Sequence, residues 1–264
     1  MSDFVEEIIE QPIDPLGGAS GAKRRFNVQF MGKGNNAEFP FTVANEVVAT
    51  NLGIILGLNV PTVLSYRIEN QPLVFVQMVN RDPETMQKPP ASSATLSEFV
   101  RNNQDAVHAA IIFDLFVANN DRAFGPVRRN VALDVRKKLF LYDQGNACFY
   151  RNRRAAGIVA GIPRLKAVAK SLEAMWDMRH KGNHYFEFLT DWSLVESSCQ
   201  MIAALPDFVL RNVIQRIPDY VEHPDATERA ALEEFLIKRK KYLIDHVVQW
   251  ATLFPGLPKR VTNA

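Results

Sequence analysis

Three short stretches of the chain carry side chains whose types and order suit one kind of chemistry. Asn119-Asn120-Asp121-Arg122 closes an apolar run, Asn130 follows Asp121 by nine positions, and Asp143-Gln144-Gly145 follows a second apolar stretch. Transfer of a phosphoryl group from a nucleotide asks few groups of a protein. A carboxylate must orient the attacking hydroxyl, and an amide and a carboxylate must hold the magnesium ions that bridge the phosphates. Asp121, Asn130 and Asp143 supply those groups in that chain order. Singly, each has an ordinary structural reading: a loop Asp caps or turns, and Asp-x-Gly after a strand makes a hairpin. Their combination behind a buried helix is what points to a nucleotide and metal site.

The elements that must position these residues are legible from periodicity. Residues 26–30 alternate apolar and polar with period two, which predicts a strand, and Gly32, Gly34, Asn35 and Asn36 predict a turn after it. A helix is expected over 42–56, with Thr42 as N-cap, a stripe at Ala44, Val48, Leu52, Ile55 and Leu56, and Gly57 and Pro61 as stops. Two strands follow at 62–68 and 73–79. Residues 84–95, rich in Pro, Ser, Gln and Lys, read as a surface connection.

The rest is mainly helical. A helix over 104–117 is apolar on most faces and hence buried, and 119–130 is a polar loop. Short strands at 131–133 and 139–142 flank a turn at 134–138, and further helices fall at 163–176, 191–205, 206–217 and 227–253. The order predicts an α+β protein: a small strand-rich unit with one helix over 1–80, then a larger helical unit over 81–264 that carries the loop and hairpin early.

Composition narrows the partners. A chain of 264 residues with 47% hydrophobic content can bury one large core or two packed lobes. Thirty-one basic against 29 acidic residues give a net charge of +2, which offers no general signal for nucleic acid or membrane. Cys148 and Cys199 are far apart and form neither a zinc motif nor a disulfide framework. Residues 1–10 carry four acids and no basic flank, unlike a signal peptide, and no apolar run is long enough to span a bilayer. A soluble cytoplasmic protein is the expectation.

These motifs together resemble the HipA-like kinases, and their short single-unit branch more than the long toxin form. The family pattern of Asn-x-Asp-Arg, a later Asn, and Asp-x-Gly at a strand end is matched by Asn119 to Arg122 in sequence, Asn130, and Asp143 to Gly145. Upstream, a glycine-rich turn (Gly17, Gly18, Ser20, Gly21), the strand at 26–30, the pair Asn45-Glu46, and Leu56-Gly57-Leu58 leading to Val60-Pro61 also match. The resemblance covers residues 13–150. It implies a bilobal protein-kinase-like fold with ATP and Mg²⁺ between the lobes. The γ-phosphoryl group would pass to a hydroxyl, Ser/Thr of a protein substrate or of the chain itself. Asp121 would be the catalytic aspartate beside Arg122, Asn130 and Asp143 the metal ligands, and Glu46 the anchor of a phosphate-binding cation. The glycine-rich turn would cradle the phosphates, and Gln77 and Met78 would open the hinge that receives adenine.

The sequence departs from the family pattern in three places. The strand lysine falls on Gln29, which carries no charge, so Glu46 would need another cation: Lys23, Arg25, or Lys33 from the following turn. The interval from Asp121 to Asn130 is longer than the pattern, and Ala123 stands where His is frequent. These departures keep a second reading open, a nucleotide-binding pseudokinase acting as a regulatory module. Other features have simpler readings. Arg151, Arg153 and Arg154 form either a docking patch or a solvated loop, and the run from Lys238 to Lys241 is a solvated helix face. Asp114 needs a buried partner, for which Arg122 or loop amides are candidates. His180 and His184 make a weak metal motif, and Trp176, Trp192 and Trp250 pack the helical unit.

Overall fold

Helix α1 (Thr42–Ile55) is the element on which the architecture turns, because residues 42–53 are all buried. An amphipathic helix would show one wet face. This one is enclosed, with a three-stranded sheet on one side and a helix of the C-terminal half on the other. The computed structural model describes residues 30–68, 71–77, 93–122, 130–134, 137–150, 160–172, 187–246 and 254–259. Gly17, Gly18, Ser20, Gly21, Lys23, Arg25, Gln29, Met78, Ala123, Arg151, Arg153, Arg154, Trp176, His180, His184 and Trp250 lie outside them.

The sheet comprises β1 (Phe30–Gly34), β2 (Val63–Ile68) and β3 (Gln71–Gln77). It is antiparallel throughout, with β3 central in the order β1-β3-β2. Here the structure corrects the expected turn at residues 32–36. Gly32 and Gly34 pair with Phe75 and Leu73, so the strand continues through Lys33, opposite Val74. Glycine weakens strands and normally signals a break. Pairing along the length of β3 overrides that tendency.

Thr42 is the first residue of α1 rather than its cap. The capping acceptor comes from Asn35, whose Oδ1 accepts the Val43 N–H at 2.9 Å. At the other end Gly57, at φ +73°, closes the helix as the motif expects. Its N–H reaches the Ile54 carbonyl at 3.0 Å and that of Leu58 reaches Gly53 at 2.9 Å, the paired closure that needs a left-handed residue. The next residue, Asn59, ties this end to a hairpin of β4 (Val131–Leu133) and β5 (Leu139–Leu141). Its carbonyl accepts from Leu141 N–H at 2.9 Å and its amide donates to Asp134 at 3.1 Å.

The helices that follow the sheet are α2 (Ser93–Asn102), α3 (Gln104–Phe116), α4 (Ile162–Val168), α5 (Trp192–Ala203), α6 (Asp207–Gln215) and α7 (Ala226–His246). Helix α2 corrects the sequence reading, which placed a connection up to residue 95 and no helix after it. Helix α3 lies within the hydrophobic core, as its apolar composition requires, and packs on α5 and α7. Arg239 of α7 is fully buried and donates to the carbonyls of Leu115 at 2.8 Å, Val168 at 2.5 Å and Ser171 at 3.1 Å, stapling the ends of α3 and α4 together. Trp192 packs on the core and donates to the Pro258 carbonyl at 2.7 Å. No helix among the described residues is long and apolar enough to cross a membrane.

His108 joins α3 to the start of α5. Its Nε2 accepts the N–H groups of Thr190 at 3.0 Å and Asp191 at 3.1 Å, which fixes the proton on Nδ1 toward the Gln104 carbonyl. Burial lowers the imidazole pKa from 6.5, and protonation would cancel both acceptor bonds. A depressed pKa means that the unfolded chain takes up the proton first. Stability is therefore present above pH 6.5 and is lost as pH falls through the folded value. The melting temperature is expected to decline below that pH, and His108→Gln should start lower and lack this part of the slope.

Candidate active site

Lys33 projects from β1 into a pocket of two carboxylates. Its Nζ lies 2.5 Å from Glu46 Oε1 and 2.9 Å from Asp143 Oδ1. The lysine side chain is 15% exposed, Glu46 is fully buried, and Asp143 is 26% exposed, so Asp143 marks the solvent side of the cluster. Burial opposes the lysine's charge, but Glu46 and Asp143 outweigh it and hold the ammonium pKa above its ordinary 10.5. Burial dominates at Glu46 and lifts its carboxyl above the usual range against the pull of Lys33, while Asp143 adds to the lift.

The Asp121 carboxylate is held in place by two amides. Asn146 Nδ2 donates to its Oδ2 at 2.5 Å and Asn130 Nδ2 at 3.2 Å, and the latter also meets the Asp121 carbonyl at 2.7 Å. Asn119 Oδ1 accepts the Asp121 N–H at 3.1 Å. The longer interval between Asp121 and Asn130 is thus compatible with direct contact between them.

Arg122 is completely buried. It pairs with Asp114 through Nε at 2.7 Å and through a terminal nitrogen at 3.2 Å. The same guanidinium donates to Gln144 Oε1 at 2.9 Å, to the Tyr142 carbonyl at 3.2 Å, and to the Asn130 carbonyl. With its side chain fully enclosed and these acceptors around it, Arg122 holds the loop in position. One guanidinium therefore gathers α3, the Asp121 loop, the start of β4 and the end of β5. Asn130 and Asp143 both sit in the left-handed backbone region, at φ 58° and 56°. Asn and Asp tolerate that region best among residues with a side chain, which suits these types to strand-end positions under strain.

Sequence reasoning missed three members of this cluster. Gln144 occupies the variable place in Asp-x-Gly and carries its side chain inward, to Arg122 and to Asn119 at 3.2 Å. Asn146 holds Asp121. Asn45 is fully buried, donates to the Gly145 carbonyl at 2.8 Å, and accepts the Phe149 N–H at 3.3 Å. The adjacency of Asn45 to Glu46 was the only hint available. Of the other nucleotide-site candidates, Gln77 ends β3 opposite Phe30, and the remainder lie outside the described residues.

Among the described residues, no three His, Cys, Asp or Glu side chains gather as an all-protein cage for a metal. Magnesium beside a nucleotide does not use one, since one or two protein oxygens suffice when phosphates complete the shell. Asp143 offers a carboxylate at the solvent side. Asn130 commits its side-chain nitrogen to Asp121, which leaves the side-chain Oδ1 as the atom to offer a cation. Those two donors, tied by the Tyr142 N–H to the Asn130 carbonyl at 3.2 Å, fit magnesium held jointly with phosphate.

No protein-family description matches the chain, and no curated protein matches it. Solved structures do. The Helicobacter pylori proinflammatory kinase CtkA aligns over 92% of this chain and 96% of its own, with a TM-score of 0.55 and 13% identity. Shewanella oneidensis HipA, solved with HipB and operator DNA, aligns over 85% of this chain and 61% of its own, with a TM-score of 0.50 and 15% identity. At these identities the likeness is one of fold, shared with these two solved structures.

Proposed function

We propose that the protein is an ATP- and Mg²⁺-dependent kinase that transfers the γ-phosphoryl group to a Ser or Thr hydroxyl of a protein, its own chain included. The observation that carries this reading is Lys33 bridging Glu46 and Asp143. A cation anchored by a helix glutamate next to a metal-ligating aspartate is the arrangement that protein kinases use for phosphoryl transfer. The pseudokinase reading arose from Gln29, Ala123 and the longer interval to Asn130, and the Lys33–Glu46 contact supports the kinase reading on the first of these. The fold would work as two lobes, residues 1–80 and 81–264, with the nucleotide between them. Gly17, Gly18, Ser20 and Gly21 would approach the phosphates, and Gln77 and Met78 the adenine.

Each described residue then has a task. Lys33 neutralises phosphate oxygens, and Glu46 keeps its ammonium in place. Asp121, with Oδ2 fixed by Asn130 and Asn146, accepts the proton of the attacking hydroxyl. Asn130 and Asp143 would hold magnesium, which when bound supplies charge neutralisation across the β- and γ-phosphates. Arg122, Asp114 and Gln144 keep these groups in register.

The test is incubation with γ-labelled ATP and Mg²⁺, reading label on the chain and on a mixed protein substrate. Wild type is expected to transfer label. Asp143→Asn should weaken Mg²⁺-dependent ATP binding about tenfold or more, because one of two protein ligands loses its charge. Mg²⁺-dependent binding without transfer would favour the pseudokinase, and the absence of such binding would remove both readings.

A further inference from the structure

Asn45 and Glu46 are consecutive residues of α1 with different tasks. Glu46 holds Lys33 at 2.5 Å. Asn45 holds the segment immediately after Asp143, by donating to the Gly145 carbonyl at 2.8 Å and accepting the Phe149 N–H at 3.3 Å. Both ends of its amide are used, and the side chain is fully buried. The same segment is pinned beside these bonds by stacking of Phe149 on Phe41, with ring centroids 4.7 Å apart. Phe41 lies directly before α1, so the helix grips residues 145–149 from two sides.

We propose that Asn45 is a positioning residue that locks the Asp143 segment to α1, so that the Lys33–Glu46 pair and the placement of Asp143 form as one event. The proposal rests on the reading of Asp143 as a metal ligand. Protein kinases commonly couple those two events through a phosphorylated activation loop whose phosphate pairs with arginines. That route is closed to Ser/Thr chemistry here, because no Ser or Thr occurs between Asp143 and Ser171. Asn45 supplies through two neutral hydrogen bonds what a phosphate would supply through charge. Helix α1 is itself fixed, since Arg216, at the C-terminal end of α6, donates to Asn51 and residues 42–53 are buried. The lock is therefore attached to an element that has little freedom to swing.

The test compares full-length Asn45→Ala with Asn51→Ala. Asn51 is a buried asparagine of the same helix that donates to the Val47 carbonyl at 2.7 Å and takes no part in the site. The first readout is backbone hydrogen exchange over residues 145–149 without nucleotide. The second is the Mg²⁺ concentration giving half-maximal ATP binding. Asn45→Ala is expected to speed exchange in that segment about tenfold or more and to raise the Mg²⁺ requirement about tenfold. Asn51→Ala should lower the melting temperature while changing neither readout. Equal effects in the two variants, or faster exchange with an unchanged Mg²⁺ requirement, would overturn the proposal. If wild type binds no ATP with Mg²⁺ while Asn45→Ala still loosens residues 145–149, the lock stands as a structural fact and the metal assignment of Asp143 falls instead.

Discussion

Lys33→Met is expected to lower phosphoryl transfer by about three orders of magnitude, while Gln29→Met leaves it within a factor of about two, as an exposed or uninvolved polar change would. The family motif puts the strand-cation position at Gln29, whereas the cation that meets Glu46 and Asp143 is Lys33. The pair of variants decides between those positions. A preorganised ammonium in a water-poor site stabilises the charge that develops on phosphate oxygens, and methionine of similar length has none to offer. The single change also leaves Glu46 buried without its counter-ion, which by itself destabilises the fold. Lys33→Met with Glu46→Gln removes that second effect, and should recover the melting temperature without recovering transfer. Lys33→Arg is not a neutral control, because a planar fork does not replace a compact ammonium in a largely enclosed site. Single-turnover transfer from labelled ATP measures all four proteins. Loss of transfer in Gln29→Met with retention in Lys33→Met would reverse the assignment and reopen the pseudokinase reading.

Lys33, one of three cations the sequence offered to Glu46, shows what kind of information a sequence carries. Helix α3 was legible because its apolar residues leave no wet face, and the sequence reading of 104–117 differs from Gln104–Phe116 by one residue. The closure of α1 at Gly57 was legible because a left-handed residue has a strong type preference. Strand β1 was not, since Gly32 and Gly34 have the local character of a turn and become strand through pairing with β3. That is a tertiary decision, and it puts Lys33 on a paired strand where the sequence reading had put it in a turn. Helix α2 was hidden for the opposite reason: its low apolar content resembles a continuation of the polar connection before it. Within the site, residues with charge could be given roles, but the neutral side chains of Gln144, Asn146 and Asn45 could not. Neutral amides are common and versatile, and their role here is set by partners 22, 25 and 100 positions away. Asp114 was the exception. A carboxylate in an apolar helix demands a partner, and Arg122 meets it, with Asn119 beside it.

The Asp114–Arg122 pair is expected to give the largest stability effect in the molecule. Both side chains have zero exposure, and Arg122→Ala should lower the unfolding free energy by about 3–5 kcal/mol in urea titrations. Removing one partner of a buried pair leaves an uncompensated charge, and that penalty outweighs the energy of the contact itself. Asp114→Leu with Arg122→Met removes both charges and should regain most of the ion-pair part. It does not regain the bonds from the guanidinium to Gln144, Tyr142 and Asn130. A residual deficit of about 1–3 kcal/mol is therefore expected in the double variant, the cost of leaving buried acceptors unmet. That residue of instability has a functional counterpart, because the unmet carbonyls belong to the backbone on either side of Asn130 and Asp143. The double variant should fold and still bind Mg²⁺ and ATP poorly, with stability and metal affinity separated in one protein. If Arg122→Ala unfolds within about 1 kcal/mol of wild type, the pair is not the clamp its geometry describes. The ordering of the Asp121 and Asp143 loops must then come from Asn45, Asn119 and Asn146, whose bonds to those loops do not pass through Arg122.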